Sequence, residues 1–364
     1  TIKEEGCGGS ETWAAMTAKC LAEKDCQTII YAMDNQVWDG VIYRNHSDYR
    51  PDTIMSHLFI SSRVPEDFYD FIPAKQRWLW CHDIHCGERL TPEVAEQLDA
   101  IVVLSQWHAG HIKRVYPFLK DATVLDFDNN PLTYDDNWTA AEFYPSVRML
   151  KLPKIAIIGN GINTERYREV TEENKAHRFI WASSPDRGLE QILNMWSSIR
   201  MVMPDAELKI FYGWKYFDTA LWVPGLREMK YRLLKLSHQD GVEWCNRVGQ
   251  DQLAKEYMKA DYFLYPPPHD FRETYGIAFL EAQAARTLCI YRKNGALGET
   301  IGDRGVGLEL DAKPEQIVEA ITGENDIIDR EKGRVYAMGR DWSVQTDKLL
   351  KLYEMIEDGQ NSRH

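Results

Sequence analysis

Short runs of apolar, β-branched and aromatic residues alternate with helical patterns along almost the whole chain, and this alternation most narrows the folds open to it. The runs are QTIIYA (27–32), RWLWC (77–81), AIVVLS (100–105), KIAIIG (154–159), RFIWAS (178–183), ELKIFYGW (207–214), YFLYP (262–266) and TLCIYR (287–292). Unbroken apolar runs of this length fit strands covered on both faces, as in parallel sheets. Between them, Trp13, Met16, Cys20 and Leu21 share one helical face. So do Leu189, Ile192, Leu193 and Trp196, and again Leu253, Tyr257 and Met258. Strand and helix in alternation predict α/β layers built on parallel sheets.

The pattern runs through twice, with a break near residues 151–177, and 364 residues suffice for about two domains. The expected division is an N-terminal lobe over 1–155, a C-terminal lobe over 156–340 and a terminal helix over 341–364. That helix, with Leu349, Leu350, Tyr353 and Ile356 on one face, is expected to pack back on the first lobe. Open parallel sheets bind ligands beyond the carboxyl ends of their strands, so two facing sheets predict a cleft. Gly8 and Gly9 precede the helical stretch Ser10–Leu21 as a phosphate loop would, yet only seven mostly polar residues come first. The reading therefore expects the opening strand of the first lobe to be missing, as in a chain truncated at its N-terminus.

A net charge of −13 bears on partners. Residues 1–152 carry −9 of it and the remainder −4. Phosphate backbones and anionic lipid surfaces repel such a chain unless basic residues cluster locally, so nucleic acid is disfavoured and membrane contact is not indicated. The seven cysteines are odd in number and scattered, which fits reduced thiols better than a disulfide framework. No apolar run approaches the ~18–20 residues of a membrane span, and TIKEEGCGGS is not a secretory signal. The expectation is a soluble, cytoplasmic chain, in which the sequons at Asn45 and Asn137 carry little weight.

The segment YPPPHDFRETYGIAFLEAQAA (265–285) is the most informative. A strand ends at the prolines, a polar loop follows, and a helix opens near Gly276. Free amides and the positive end of the dipole at such an opening suit an anionic group. Glu273 precedes the opening and Glu281 follows eight positions later. The first can face a reacting group and the second hydrogen-bond a ribose. They read equally well as a helix-start charge and a solvated face, and spacing alone does not separate the two.

ETYGIAFLE resembles the E-x7-E motif of family 4 glycosyltransferases, which are retaining, nucleotide-sugar-dependent enzymes of GT-B fold. Neighbouring segments follow in that family's order. Gly8 and Gly9 match its N-lobe glycine loop, His82 in LWCHD its active-site histidine, and AIVVLSQWHAGHI its next strand and helix. NGIN (160–163) matches the approach to the second lobe, SSPDRGLEQIL from Ser183 the phosphate-binding turn, and RVGQDQL from Arg247 the loop that holds the base. The resemblance implies two facing Rossmann-like lobes, with a donor-binding C-terminal lobe and an acceptor-binding N-terminal one. It implies that Arg187 neutralises a diphosphate, the amides of Tyr275 and Gly276 cradle it, Glu281 holds the ribose and Val248 meets the base. His82 would lie beside the sugar and Glu273 near its hydroxyls. The donor would be a UDP- or GDP-sugar, the acceptor a glycan or small molecule, and no metal or other cofactor would be needed. Ser183 stands where the family usually has an arginine, which leaves a diphosphate charge unpaired unless Arg292 or Lys293 reaches it. That departure motivates the alternative of a catalytically weak nucleotide-sugar or glycan-binding module.

Other features compete for attention. CHDIHC (81–86) has metal-ligating residues but no second ligand pair at finger spacing, so no metal site is expected. DFD (126–128) reads as a loop, and His108 and His111 as surface or packing residues on a helix. Trp107, Trp138, Trp214 and Trp222 are candidates for stacking on a sugar ring. A nicotinamide-dependent oxidoreductase is disfavoured, because no G-x-G-x-x-G follows any of the strands.

Overall fold

The computed structural model describes residues 8–32, 35–50, 55–133, 135–138, 142–144, 147, 149–169, 176–214, 218, 225–323 and 328–361. Cys7 and Trp222 lie outside them. The chain divides into two compact units. An N-terminal unit comprises Gly8–Gly161, Glu273–Tyr275 and Arg340–His364; a C-terminal unit comprises Ile162–Arg272 and Gly276–Gly339.

Among the described residues, the N-terminal unit holds two sheets. Strands β1 (Ile29–Ala32), β2 (Gln36–Trp38) and β3 (Val41–Asn45) form a small one in the order β1-β3-β2, parallel at β1–β3 and antiparallel at the β2–β3 hairpin. The larger sheet is parallel throughout, in the order β4-β5-β6-β8-β7. Its strands are β4 (Ser56–Ser62), β5 (Ala74–Trp80), β6 (Ala100–Val103), β7 (Val124–Asp126) and β8 (Lys154–Ile157). All four residues of β6 are buried, as the uninterrupted run AIVV requires of a central strand covered on both faces. The run QTIIYA differs from its siblings. It becomes β1 of the small sheet, where all four residues stay half-buried.

Two helices frame this unit. Gly9–Ala22 starts at Gly8, whose carbonyl accepts from both the amide and the hydroxyl of Thr12 at 2.9 Å. The 20-residue helix Trp342–Asn361 buries Trp342, Gln345, Thr346, Leu349 and Leu352. This i, i+3, i+7, i+10 stripe is turned slightly from the face expected through Leu350 and Tyr353, which are half-buried. The helix is tied down by Gln76 Nε2 donating to the Tyr353 carbonyl at 2.8 Å and by the Lys348–Asp128 ion pair, whose carboxylate is 1% exposed.

Among the described residues, the C-terminal unit is built on a six-stranded parallel sheet in the order β11-β10-β9-β12-β13-β14. Its strands are β9 (Arg178–Trp181), β10 (Glu207–Ile210), β11 (Val242–Trp244), β12 (Tyr262–Tyr265), β13 (Leu288–Arg292) and β14 (Val306–Leu308). Helix Leu189–Val202 presents Leu189, Ile192, Leu193 and Trp196, all buried, which is the face expected from their spacing. Arg178, at the start of β9, pairs with Glu207 at 3.1 Å across the β9–β10 register.

Candidate functional site

In the C-terminal unit the strand order reverses between β9 and β12. The chain runs outward from β9 to β11 on one side and from β12 to β14 on the other. In open α/β sheets ligands bind beyond the carboxyl ends at this switch point. The two loops there carry the residues singled out in the sequence. After β9 come Ser183, Ser184 and the 3₁₀ turn Pro185–Arg187, closed by Gly188 at φ +122°. A Cβ on Gly188 would stand 2.4 Å from the carbonyl oxygen of Pro266 in the loop after β12. Glycine is therefore needed twice over, for its backbone conformation and for the close approach of the two loops. Gly188→Ala is expected to destabilise the unit by about 2–4 kcal/mol, read from the midpoint of denaturant unfolding. An unchanged midpoint would contradict this packing.

The guanidinium of Arg187 lies 4.0 Å from the centre of the Phe271 ring, and its Nε is 3.7 Å from the Asp186 carboxylate. Stacking on the ring keeps the planar fork oriented. The Phe271 carbonyl accepts from Arg272 Nη1 at 2.8 Å and from Asn294 Nδ2 at 2.6 Å, and buried Arg272 also donates to the His269 carbonyl at 2.6 Å. Sequence reasoning missed Phe271 and Arg272. Their signal was an aromatic residue beside a cation in an otherwise polar loop. The Ser183 carbonyl accepts from Trp181 Nε1 at 2.7 Å, which fixes the start of the turn. Arg292 donates to the Ala312 carbonyl at 2.6 Å and Lys293 pairs with Glu309 at 2.6 Å, so both are engaged away from Ser183.

After β12, helix Ile277–Ala284 begins at Gly276, which has φ +82° and no side-chain cap. Its first amides are those of a helix opening straight from a loop, the arrangement that favours anions. Glu281 falls one turn in. The residue is half-buried, and desolvation of its carboxyl pushes the pKa up to about 7 against the opposing charge of Arg166. Arg166 is itself paired with Asp251 at 2.7 Å, which weakens its hold on Glu281. Val248, half-buried, immediately precedes Gly249, the cap of helix Gln250–Lys259.

In the N-terminal unit the carboxyl ends of β5, β6 and β8 gather a second set. His82 follows β5, its ring 5.0 Å from that of Trp13 on helix Gly9–Ala22 and 6.3 Å from the near-parallel ring of Trp80. Burial, with a smaller contribution from Arg63, lowers its pKa to about 3, so the ring is neutral at pH 7. Its Nε2 is buried with no hydrogen-bond partner among the described residues. Arg63 donates through Nε to Asp83 at 2.7 Å and through Nη1 to Ser10 Oγ at 3.2 Å, linking the end of β4, the His82 loop and the helix that Gly8 and Gly9 open. Segment Glu273–Tyr275 belongs to this same unit. Glu273 is 9% exposed, and the Tyr275 ring covers Gly159, where a Cβ would lie 2.4 Å from Cε2.

The competing clusters have other uses. Cys81 and Cys86 are buried with their sulfurs 3.9 Å apart, while His85 packs on Phe143 at 4.7 Å. Asp126 ends β7 and accepts from the amides of Asp128 and Asn129 at 2.9 Å, and Asp128 accepts from Gly159 at 2.8 Å, so this acidic pair braces loops. His108 and His111 are both buried on helix Gln106–Val115, which settles the open choice in favour of packing. His111 is sandwiched between Trp107 at 5.1 Å and Trp138 at 5.5 Å, and Trp107 is buried with its Nε1 donating to Asp136 at 3.1 Å. Trp214 stacks on Trp244 at 4.4 Å. Three of the four tryptophans proposed for sugar stacking thus already have ring partners.

Solved structures resemble this architecture over nearly the whole chain. Sucrose-phosphate synthase from Thermosynechococcus elongatus is 13% identical, with 98% of this chain and 95% of that one aligned and a TM-score of 0.66. A glycosyltransferase from Rickettsia africae is 13% identical over 96% and 95%, with a TM-score of 0.63. A UDP-forming alpha,alpha-trehalose-phosphate synthase from Burkholderia xenovorans is 10% identical over 94% and 96%, also with a TM-score of 0.63. The fold is therefore GT-B, two Rossmann-like α/β lobes each built on a parallel sheet. Residues 163–332 match the family model described as glycosyl transferases group 1, which covers just under half of the chain and most of its C-terminal unit. No curated protein matches the sequence significantly. Among the described residues, no helix is long and apolar enough to cross a membrane.

Proposed function

We propose that the protein transfers a sugar from a UDP- or GDP-sugar to a hydroxyl of a glycan or small molecule, with retention of anomeric configuration. The observation that carries this reading is the switch point between β9 and β12, where one loop delivers Arg187 and the other leads to the uncapped helix at Gly276 and to Glu281, inside the segment that matches the group 1 model. In this reading Arg187 and the amides of Tyr275 and Gly276 receive the diphosphate, Glu281 the ribose and Val248 the base. His82, held neutral, and Glu273 face the sugar. The bond from the anomeric carbon to the diphosphate oxygen breaks, the acceptor oxygen bonds to that carbon from the same face, and the acceptor proton passes to the departing diphosphate. Charge develops on that diphosphate, so fixed donors and cations around it contribute most to rate. No residue is assigned as a covalent nucleophile and no metal is assigned a role. The acidic N-terminal unit favours a neutral acceptor.

A thermal-shift screen against nucleoside diphosphates and their sugars tests the reading, because a ligand bound to the native state raises apparent stability by mass action. One base family should raise the midpoint, and the sugar nucleotide should then be turned over, with the product's anomeric configuration read by NMR. Tight donor binding with no turnover in any acceptor or hydrolysis assay would instead favour the binding module that Ser183 suggested. The raised pKa of Glu281 adds a finer test. An ionised carboxylate accepts from two ribose hydroxyls more strongly than the neutral acid does, so donor KM should fall as pH rises through about 7, and Glu281→Gln should abolish that dependence.

A further inference from the structure

We infer that Thr274 is a positioning residue for this reaction, setting Glu273 and the His82 loop in a fixed mutual register. The inference rests on the transfer reading above for the roles of Glu273 and His82, but its geometry stands apart from that reading. The Thr274 hydroxyl donates to the His82 carbonyl at 2.9 Å, and the Thr274 carbonyl accepts from Ser105 Oγ at 2.9 Å. Thr274 is 9% exposed and Ser105 3%, so neither bond competes with bulk water. The Ser105 hydroxyl is also the cap of helix Gln106–Val115, accepting from the His108 amide at 3.0 Å. One oxygen thus uses its lone pair on a helix start and its proton on the 273–275 segment. The helix cap therefore fixes where Thr274 stands, and Thr274 in turn fixes the carbonyl of His82.

This matters because Glu273 lies in a loop, where no ladder or helix sets side-chain direction. Its neighbour is pinned through both backbone and side chain, and the next residue, Tyr275, is buried against Gly159. Misplacing a reacting group by about 1 Å costs up to 10²-fold in rate, so a residue that touches no substrate can still control turnover. The threonine hydroxyl is the one feature of that side chain that valine lacks, and the His82 carbonyl is its acceptor.

Full-length Thr274→Val and Thr274→Ser test the inference. With the donor named by the screen, Thr274→Val should lower kcat about tenfold, leave donor KM within about twofold and keep the thermal midpoint within a few degrees. Thr274→Ser, which keeps the hydroxyl, should restore kcat. Wild-type kcat in Thr274→Val, a loss carried by KM or by the midpoint, or a failure of serine to restore the rate would each overturn it. If the wild-type protein turns over no sugar nucleotide, the transfer reading fails, and amide hydrogen exchange then decides on positioning. Exchange over 82–84 and 273–276 should speed up in Thr274→Val and not in Thr274→Ser; unchanged exchange overturns the inference.

Discussion

Replacing Arg187 with alanine should lower turnover by about 10²–10³ while changing donor KM far less, the signature of an interaction that strengthens as charge develops on a leaving group. The geometry gives the reason for so large an effect. The guanidinium is held 4.0 Å over Phe271 on a turn whose closing residue, Gly188, has no room for a side chain. Its position is set before the donor arrives, so reorganisation adds little to the barrier. Ser183 supplies a hydroxyl where a second cation is usual in the family this sequence resembles, and Arg292 and Lys293 are engaged elsewhere. In the proposed reaction, more of the task therefore falls on Arg187. Arg187→Lys keeps the charge but loses the flat stack on Phe271, so it should recover only part of the rate. Normal kcat in Arg187→Ala would remove this residue from the reaction and with it the assignment of the β9 loop.

The sequence made the strands of both large sheets legible where they are central. AIVV, KIAI, RFIW, YFLY and LCIYR are each covered on two faces, except at the charged first residue of KIAI and of RFIW, and the interior of a strand so covered must be apolar. Short or outer strands gave no such signal. β7 (Val124–Asp126), β11 (Val242–Trp244) and β14 (Val306–Leu308) have three residues each, too few for any periodicity. β1 misled in the opposite sense, since its apolar run belongs to a small sheet. Within the candidate site, Gly276 and Glu281 stand out in the local sequence because a helix opening leaves marks there, whereas Arg187 was singled out by the family resemblance alone. Thr274 and Ser105 were not visible as a pair. Their bond joins residues far apart in sequence, and nothing in SQWH or RETYG records that one caps a helix while holding the other. Phe271 left only the mark of an aromatic residue beside a cation, because its role is a stack on a residue of another loop.

The N-terminal unit should lose stability steeply as pH falls below 6.5, well before ordinary carboxylates titrate. Four of its histidines have pKa values lowered chiefly by burial: His82 to about 3, His108 to about 3, His111 to about 4, and His85 in the same direction. For His108 the neighbouring His111 and His82 add to the effect, and for His111 the Trp138 carbonyl opposes it at 3.0 Å. A histidine whose folded pKa lies below its unfolded value binds its proton more readily in the unfolded chain. The neutral form's contribution is thus complete above about pH 6.5 and is lost progressively as pH falls toward the folded pKa. Each such group adds a slope of at most about 1.4 kcal/mol per pH unit, so the three with the largest shifts set an upper bound of roughly 4 kcal/mol per pH unit near pH 5. Fully buried His108 alone amounts to about 3 kcal/mol by pH 4, a large part of the roughly 5–15 kcal/mol that holds a domain folded. Glu281 in the other unit works in the opposite direction, since its raised pKa favours the folded state as pH drops from about 7 toward 4.5. Denaturant unfolding at a series of pH values between 5 and 7, with His108→Gln beside wild type, measures the effect. The variant is less stable at pH 7 through lost packing, yet its pH slope should be shallower by about one histidine's share. An identical slope in the two proteins would mean that His108 is not shielded from protons, and that the neutral ring at His82, in the same cluster, is not secured by burial either.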